Sequence, residues 1–438
     1  MAESVPLLCP AENGGSSLYS KSALLILSVQ LMKGTIDVIV VGGGPVGSFT
    51  ALKLAKKGGK VTVFEEHEAI GSPSHCAGHL SIRSLSNLGL YPLPREIVEN
   101  TFSKVNFYSP SGFKFQVHFA KSVTCSVNRE AFDRHVAEKA EAAGARYRLN
   151  ARVQSLLIEN GIVKGVKVMQ EDKTEKVTAK IVVDAEGISS KLLRQTGLAG
   201  LNGKHLVYAV EAEVEDVKDI GLNAVEVYLG KAYAPGFYAW LMPRLDGTAK
   251  VGLATKTGDP RDFLSRLMRK HPVASKHLSN AKIKSVAFHP ITLGGLIDRA
   301  YSNGFLAVGD VASQVKPTTG GGVIFGLICA GIAAEVANEA MRRNDFTSSF
   351  LQVYQKRYIN RLRFDFSVML QLRRFLDSLS DKKIDDSFRF YSRIGLSEAL
   401  EKIDEIDFQG QLLLKVLMKP SVITALAYSL KLFLSANP

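Results

Sequence analysis

Apolar and polar positions follow two different periods along this chain. The continuous apolar run Ile36–Val41 predicts a buried strand, and residues 46–57 then show the three-to-four-residue spacing of a helix. Residues 60–64 are apolar and rich in β-branched side chains, which predicts a second strand. Strand, helix and strand in this order indicate a βαβ unit, so the first part of the chain is expected to form a parallel sheet.

Further elements follow from the same patterns. Residues 129–143 have helical spacing, and the alternating stretch 151–168 predicts a β-hairpin with its turn at Asn160-Gly161. Two short apolar runs, 180–183 and 304–308, predict additional strands. A glycine-rich turn at 318–322 leads into a helix over 323–340 that is rich in small residues.

The middle and the end of the chain differ from this βαβ pattern. Segments 208–214, 225–229, 237–243 and 250–254 alternate like strands and predict an antiparallel sheet inserted into the parallel-sheet domain. From about residue 345 the pattern is helical. The apolar face of that helix would consist of Leu351, Tyr354, Tyr358, Leu362, Phe366, Met369, Leu372 and Leu376. The apolar tail 411–436 is interrupted by lysines, so it could lie on a membrane but not cross one.

The turn after the first strand carries a glycine motif. Gly42, Gly44 and Gly47 form G-x-G-x-x-G, and Glu65 follows the second strand, about 20 residues on. The glycines allow a tight turn, close approach of a pyrophosphate and close packing of the helix. The N–H groups at the start of the helix would face the phosphates, and the carboxylate would accept from ribose hydroxyls. The sequence therefore predicts a dinucleotide site.

Composition limits the classes of function. The chain has 438 residues, 46% apolar residues and 22% charged residues, as in globular proteins of two or three domains. Its formal net charge is +13, and eight basic residues but two acidic ones lie between Arg342 and Arg374. Such a cluster suits an anionic membrane or nucleic acid, and an ordinary solvated helix face is equally compatible. The cluster lacks interleaved aromatic residues on its expected exposed face, so a nucleic-acid partner is not predicted.

The cysteines and the N-terminal residues provide weaker evidence, on the cellular compartment and on a leader segment. Cys9, Cys76, Cys125 and Cys329 are far apart and form no C-x-x-C pair, which fits a reducing cytoplasm and argues against a structural zinc site. Residues 1–32 are interpreted as a disordered leader, with an anchoring segment as the alternative. The apolar stretch within it is too short to span a bilayer.

Several motifs in order resemble one family of FAD proteins. The glycine motif, Glu65, Arg129 within Val127–Asp133, the turn Asp184-Ala185-Glu186-Gly187 and the pair Gly309-Asp310 resemble the para-hydroxybenzoate-hydroxylase type. Cys76-Ala77-Gly78-His79 and Tyr238-Ala239-Trp240-Leu241-Met242-Pro243 narrow this resemblance to the geranylgeranyl reductases, above all the archaeal digeranylgeranylglycerophospholipid reductases. Met242 replaces the phenylalanine of the family's Y-x-W-x-F-P motif.

The resemblance implies an α/β fold with a Rossmann-like FAD-binding domain, an inserted antiparallel β-sheet substrate domain and a C-terminal helical region. The FAD-binding domain would comprise residues 33–95, 121–202 and 296–345. The substrate domain would comprise 96–120 and 203–295, and the helical region 346–438.

The resemblance also implies roles for individual residues. The residues expected to contact FAD are Gly42, Gly44, Val46, Gly47, Glu65, Cys76, Ala77, Arg129, Val153, Asp310, Gly322 and Val323. The aromatic residues Phe237, Tyr238 and Trp240, with Pro243, would contact an apolar substrate. Cys76, His79 and Tyr238 are candidates for proton delivery, although Cys76 is better explained as part of the flavin pocket wall. His75 and His79 lack an evident third ligand, so no metal is expected.

The implied reaction is the saturation of isolated C=C bonds in geranylgeranyl chains of archaeal-type ether lipids by hydride transfer and protonation. The electron donor would be a ferredoxin-like protein or NAD(P)H. The protein would be cytoplasmic and peripheral on the inner face of the cell membrane. Two alternatives remain open at this point. One is an aromatic monooxygenase that uses FAD and NAD(P)H, and the other is a non-catalytic protein that binds prenylated partners.

Overall fold

A parallel sheet forms the base of the nucleotide-binding fold. The computed structural model describes residues 36–401, 403 and 405–434, so the predicted leader lies outside the described residues. The parallel strands are β1 (Ile36–Val41), β2 (Val61–Phe64), β8 (Arg146–Arg148), β11 (Lys173–Asp184) and β18 (Phe305–Ala307). Their spatial order is β18-β11-β1-β2-β8, the order 3-2-1-4-5 of a Rossmann-like sheet. The βαβ prediction is confirmed, because β1 pairs in parallel with both β2 and β11.

Three further strands extend this sheet. Strands β9 (Arg152–Glu159) and β10 (Ile162–Gln170) form the predicted hairpin, and Asn160 and Gly161 both have positive φ, as a type I′ turn requires. Strand β10 also pairs with β11, and the short strand β17 (Tyr301–Ser302) pairs with β18. The sequence predicted only the apolar end of β11, because its first half is polar and exposed.

A second sheet of seven strands lies in the middle of the chain. Its strands are β5 (Lys104–Tyr108), β6 (Lys114–His118), β12 (Leu206–Glu215), β13 (Ala224–Tyr228), β14 (Ala239–Pro243), β15 (Ala249–Thr255) and β16 (Lys282–Thr292). The order is β16-β12-β15-β14-β13-β5-β6. The four strands predicted from the alternating segments pair antiparallel with one another, as expected, whereas β5, from the segment 96–120, pairs in parallel with β13. Pairing between strands so distant along the chain has no local turn to fix its direction.

A small sheet of three strands connects these two. Strand β7 (Thr124–Val127) pairs with both β3 (His79–Ser81) and β4 (Val98–Phe102). Residues 98–102 therefore pair outside the seven-stranded sheet, although the prediction assigned them to the substrate domain. The remaining domain boundaries stay predictions.

Twelve helices are present in the described part of the chain. The shorter ones are α2 (Ile82–Asn87), α4 (Lys191–Gln195), α5 (Pro260–Lys270), α6 (Ala274–Leu278), α10 (Leu396–Leu400) and α11 (Gln409–Val416). The longer ones are α1 (Pro45–Ala55), α3 (Arg129–Ala142), α7 (Val323–Arg343), α8 (Ser348–Ser378), α9 (Asp381–Arg393) and α12 (Pro420–Leu434).

Helices α1, α7 and α8 form the core beside the parallel sheet. Helix α7 is, within the described ranges, the one helix long and apolar enough to cross a membrane, but 72% of its apolar stretch is buried in the protein. This burial is typical of a core helix. The predicted apolar face of α8 is buried from Leu351 to Met369 and packs with α7, so this part of the prediction is confirmed. The prediction is wrong for the last turns, since Leu372 is exposed and Leu376 is half-buried, and both border a cavity instead of the core.

Candidate active site

The glycine motif forms a tight turn between β1 and α1. Gly42 has a φ of +97°, and a Cβ atom on it would lie 2.4 Å from the carbonyl oxygen of Ala185. A Cβ on Gly47 would lie 2.0 Å from the carbonyl oxygen of Gly42, so glycine is required at both positions. A Cβ on Gly44 would meet no atom within 4 Å. The turn therefore has two packed glycines and one that borders open space, as a diphosphate site requires.

Helix α1 begins where this turn ends. Pro45 occupies its first position, and no side chain caps the N-terminus, so the N–H groups of Val46 and Gly47 are directed toward the open space. Glu65 lies directly after β2, and its Oε2 accepts the N–H of Gly43 at 2.7 Å. Its Oε1 accepts the N–H of His67 at 2.9 Å. The carboxylate is thus fixed beside the glycine turn, where it was predicted to contact a ribose.

A second helix N-terminus faces the same cavity. Helix α7 begins after Gly322 without a side-chain cap, so the N–H group of Val323 has no acceptor within the helix. A Cβ on Gly322 would lie 2.5 Å from Oδ1 of Asp310, which brings the two predicted FAD residues together. Burial raises the pKa of Asp310, and the nearby His289 and Arg129 oppose this rise. A buried carboxylate of this kind needs hydrogen-bond donors, and ribityl hydroxyls would supply them.

The loop from Cys76 to His79 forms another side of the cavity. Cys76 is exposed to it, whereas Cys125 and Cys329 are buried in β7 and α7. Arg129, the first residue of α3, lies next to Cys76 and binds both carboxylate oxygens of Asp133 at 3.1 and 3.0 Å. The guanidinium is thereby held in place at the cavity wall.

One continuous cavity joins all of these groups. Its volume is about 1630 Å³, larger than the ~300–1,000 Å³ typical of a site for one small molecule. Every residue predicted to bind FAD lines it, including Val153 on β9, and so do His79, Phe237, Tyr238 and Trp240. Pro243 does not. It is buried in β14, and its carbonyl oxygen accepts a hydrogen bond from Asn100, so its predicted substrate contact is not present.

One face of the seven-stranded sheet forms a wall of this cavity. Side chains on alternate positions of β5, β6, β13 and β14 line it, namely Val105, Phe107, Phe115, Val117, Val225, Val227, Trp240 and Met242. The opposite face packs on α5 and α6 as a separate core. Alternate side chains of these strands therefore face the cavity on one side of the sheet and the core on the other.

Trp240 lies across the neighbouring strand. A Cβ on Gly252 of β15 would be 2.5 Å from Cζ2 of Trp240, so the indole lies directly over this glycine. The absence of a side chain lets the indole Nε1 reach Glu211 on β12, where it donates to Oε2 at 3.0 Å. Glu211 also lines the cavity.

Tyr238 connects the same sheet to the glycine-rich turn before α7. Its hydroxyl donates to the carbonyl oxygen of Thr319 at 2.8 Å, and its ring stacks on Phe237 with centroids 4.4 Å apart. Arg373 of α8 lies over the Phe237 ring at 5.8 Å. The predicted substrate aromatics are thus held against the turn that begins α7.

Two buried lysines form ion pairs and hydrogen bonds that hold the loops around the cavity in place. The Nζ atom of Lys250 lies 2.8 Å from Glu99 and donates to the carbonyl oxygens of Ala77 and Val127. Lys316 pairs with Asp407. Burial alone would raise the pKa of Asp407, but Lys316 and hydrogen bonds from serine hydroxyls lower it below its ordinary value. The Lys316 pair connects the turn before α7 to the segment that precedes α11.

Acidity differs among the candidate proton donors. Burial, followed by the charge of Lys316, lowers the pKa of His79 to about 4, so its imidazole is neutral near pH 7. Burial raises the pKa of Tyr238 well above its ordinary value, and its proton is held by Thr319. Burial also raises the pKa of Glu211 to about 7, while Lys250 and the Trp240 N–H oppose the rise.

Comparison with known proteins identifies the family. Residues 35–327 match the FAD binding domain family. The chain is 32% identical over 390 residues to digeranylgeranylglycerophospholipid reductase 2 of Methanopyrus kandleri, covering 87% of this chain and 95% of that protein. The chain belongs to the digeranylgeranylglycerophospholipid reductase family. This membership confirms the resemblance, the fold class, FAD as cofactor and an FAD-dependent oxidoreductase as the type of enzyme.

Two other matches agree with this assignment. The reductase of Methanocaldococcus jannaschii is 31% identical over 391 residues, covering 88% of this chain and 96% of that protein. Among solved structures, a geranylgeranyl bacteriochlorophyll reductase-like protein of Thermoplasma acidophilum superposes with a TM-score of 0.81 at 27% identity. That match covers 90% of this chain and 99% of the other.

The residues of this family member fit FAD. The two uncapped helix N-termini, the open space at Gly44 and the half-buried carboxylate of Asp310 surround one end of the cavity. Bound FAD would supply the hydride of the reductase reaction. In the described part of the chain, no group of three or more histidine, cysteine or acidic residues could hold a metal ion.

The sequence analysis did not identify four polar residues that line this cavity or hold its loops in place. They are Glu211, Lys250, His289 and Lys316. Glu211 and Lys250 occupy polar positions of predicted strands to which the sequence analysis assigned no role. His289 lies on β16, an edge strand that the sequence analysis did not predict and that mixes polar residues with the exposed apolar residues Ile283, Val286 and Phe288.

Proposed function

We propose that this protein saturates isolated C=C bonds of geranylgeranyl chains in archaeal-type ether phospholipids. The observation that supports this most strongly is the continuity of the cavity from the FAD motifs to an apolar end. At that end the walls are β5, β6 and the C-terminal helices, with Phe107, Leu412 and Leu430 among the lining residues. A long branched hydrocarbon requires such a wall, since it offers area without hydrogen-bond demands.

The lipid would enter from a membrane surface. Helix α12 contributes Leu426, Leu430 and Phe433 to the cavity lining, while Met418 is 85% exposed and Leu434 is 63% exposed. An apolar surface that continues into the cavity would let a lipid tail leave the bilayer without crossing water. We propose that α11 and α12 rest on an anionic membrane, peripherally and from the cytoplasmic side.

The basic cluster on α7 and α8 would contribute less to membrane binding than its eight residues suggest. Arg373 is buried beneath the aromatic residues, and Arg357 pairs with Glu339 at 2.8 Å. Six basic residues remain exposed, namely Arg342, Arg343, Lys356, Arg361, Arg363 and Arg374. Each could add ~1 kcal/mol if it lies near anionic headgroups.

The reductase activity is tested anaerobically. The FAD-loaded protein is reduced with dithionite and mixed with a digeranylgeranylglycerophospholipid, and flavin absorbance and lipid mass are recorded. Reoxidation of the flavin together with a gain of two mass units per bond is the expected result. An unchanged lipid, with phenol-dependent oxygen consumption in the presence of NAD(P)H, would instead identify a monooxygenase. The same assay with reduced ferredoxin or NAD(P)H in place of dithionite identifies the electron donor.

Matched variants test the cavity and the membrane surface separately. Val227→Trp would fill the cavity and abolish turnover of the lipid, whereas Val286→Trp, on an exposed position of β16, would not. Leu434→Glu, at an exposed position of α12 outside the cavity lining, should weaken binding to phosphatidylglycerol vesicles, and Leu245→Glu in the β14–β15 turn should leave it unchanged. Equal vesicle binding by both Leu→Glu variants would refute the proposed docking surface.

A further inference from the structure

Glu211 occupies an unusual position for an acidic residue. It is the one acid among the described residues of the seven-stranded sheet that line the cavity, and its neighbours on that face are mainly apolar. The register places it opposite Gly252 on one side and Ala287 on the other, so no bulky side chain covers it from either adjacent strand.

The contact with Trp240 leaves one oxygen of Glu211 available. An indole N–H only donates, so Oε2 must accept from Trp240 whether the carboxyl group is ionised or not. The other oxygen, Oε1, makes no hydrogen bond to the residues that the structure describes. A proton on Glu211 would therefore be carried by Oε1, on the atom that remains free to approach a ligand in the cavity.

Glu211 lies at the end of the sheet that meets the FAD motifs. Trp240, its hydrogen-bond partner, packs in a cluster with Ala77, a residue of the predicted flavin loop. Ala209 pairs with His289, so His289 is a diagonal neighbour of Glu211, a relation that corresponds to roughly 7–8 Å. His289 in turn interacts with Asp310. The carboxyl group is thus close to both loops that enclose the FAD end of the cavity.

The protonation of Glu211 is suited to acid catalysis near neutral pH. Burial raises its pKa to about 7, and an acid is most effective when its pKa is close to the working pH. The charged groups that face it are Lys250 and Arg244, which favour ionisation, and Glu99, which opposes it. Neutral His79 and the Thr319-bound Tyr238 are poorer acids in the same cavity.

We propose that Glu211 is the proton donor for alkene saturation, with Trp240 as the residue that positions it. This role rests on the proposed reductase function, which delivers a hydride to one carbon of the C=C bond. As the π bond breaks, the O–H bond of Glu211 breaks and a C–H bond forms at the other carbon. The products are the saturated chain and the Glu211 carboxylate, which regains a proton from water before the next turnover.

The first test is single-turnover reoxidation of dithionite-reduced holoenzyme by the phospholipid at several pH values. Glu211→Gln should bind FAD normally but reoxidise roughly 10²–10⁴-fold more slowly, the usual contribution of one acid or base. The wild-type rate of reoxidation should fall as pH rises through about 7, where Glu211 ionises. The same step should show a solvent deuterium isotope effect. Glu211→Asp should recover part of the rate.

A matched control lies on the same strand. Glu215 also belongs to β12 but forms an exposed ion pair with Lys284 at 3.5 Å, so Glu215→Gln should retain wild-type kinetics. If Glu211→Gln reoxidises as fast as wild type with the same pH profile, the proton-donor role is wrong while the reductase function stands. If wild-type enzyme itself leaves the lipid unreduced, the proposed function fails first, and the role of Glu211 fails with it.

A spectroscopic measurement tests the pairing without substrate. Trp240 is the only tryptophan in the sequence, so indole emission of the oxidised holoenzyme, excited at the long-wavelength edge of indole absorption where tyrosine does not absorb, reports on this residue. Its emission should change with an apparent pKa near 7 in wild type, and this step should be absent in Glu211→Gln. A step of the same size and position in the variant would show that another group titrates and would overturn the assignment.

Discussion

The position of Trp240 depends on the missing side chain of Gly252, and the substitution Gly252→Ala tests this. The added Cβ would lie 2.5 Å from Cζ2 and 2.7 Å from Cε2 of the indole. Carbon atoms normally approach to about 3.5–4.0 Å, so the ring must move by ~1 Å or more. The 3.0 Å hydrogen bond to Glu211 would then be lost.

The expected destabilisation combines two effects. Overpacking between the two strands costs roughly 1–3 kcal/mol, and leaving the half-buried hydrogen-bond partners unpaired costs up to roughly 1–3 kcal/mol more. The free energy of unfolding should therefore fall by about 2–6 kcal/mol. The measurement is urea unfolding of the FAD-loaded protein, followed by far-ultraviolet circular dichroism.

A double-mutant cycle with Trp240→Phe identifies the cause. Phenylalanine lacks the indole atoms that the new Cβ would meet, so Gly252→Ala should cost about 1–3 kcal/mol less in this background. Gly331→Ala is the control, because a Cβ there meets no atom within 4 Å and alanine favours the helix by up to ~1 kcal/mol. The same cost in both backgrounds would refute the explanation, since it would attribute the strain to the carbonyl oxygen of Val210, 2.7 Å from the Cβ.

Three further predictions concern the cofactor, acid stability and the buried ion pair. Glu65→Ala should weaken FAD binding about tenfold by calorimetry, because the carboxylate that accepts from Gly43 is lost (~1.4 kcal/mol). Burial lowers the pKa of His271 to about 4, so the unfolded state takes up the proton first and stability falls as pH decreases from 6.5 to 4. The loss should approach ~3 kcal/mol in urea titrations at each pH, and His271→Asn should remove this part of the pH dependence. Lys316→Met should reduce the free energy of unfolding by about 3–5 kcal/mol because the buried Asp407 carboxylate loses its ion-pair partner. Adding Asp407→Asn should restore most of this loss.

The nucleotide end of the site could be predicted from the sequence because its signals are local. Gly42, Gly47 and Glu65 are constrained by backbone contacts within one βαβ unit, and a short segment contains all the necessary information. The predicted hairpin was equally local, since Asn160 and Gly161 determine the turn by themselves.

The sheet that forms the cavity wall was harder to predict. On β12 the alternation of polar and apolar residues is visible, but it cannot distinguish a face toward solvent from one toward an internal cavity. Glu211 was therefore not recognised as a site residue. Its role depends on Trp240 from a strand that is not its immediate neighbour, and on Gly252 between them. Contacts of this kind exist only after the strands have paired.

The C-terminal part was predicted as helices but not as part of the site. The spacing of apolar residues on α8 indicated the buried face up to Met369. No local pattern indicated that Asp407 would pair with Lys316, 91 positions away, or that Asp365 would accept the N–H of Gly410. These contacts attach the last helices to the turn before α7.

The ammonium group of Lys250 also limits how this enzyme can open. Its partners are Glu99 and the carbonyl oxygens of Ala77 and Val127, so one side chain from the seven-stranded sheet is anchored to three separate segments. Separating the layers near the isoalloxazine end would break all three contacts together. We therefore expect the motion that admits a hydrocarbon to occur at the opposite rim, where α12 exposes Leu430 and Leu434.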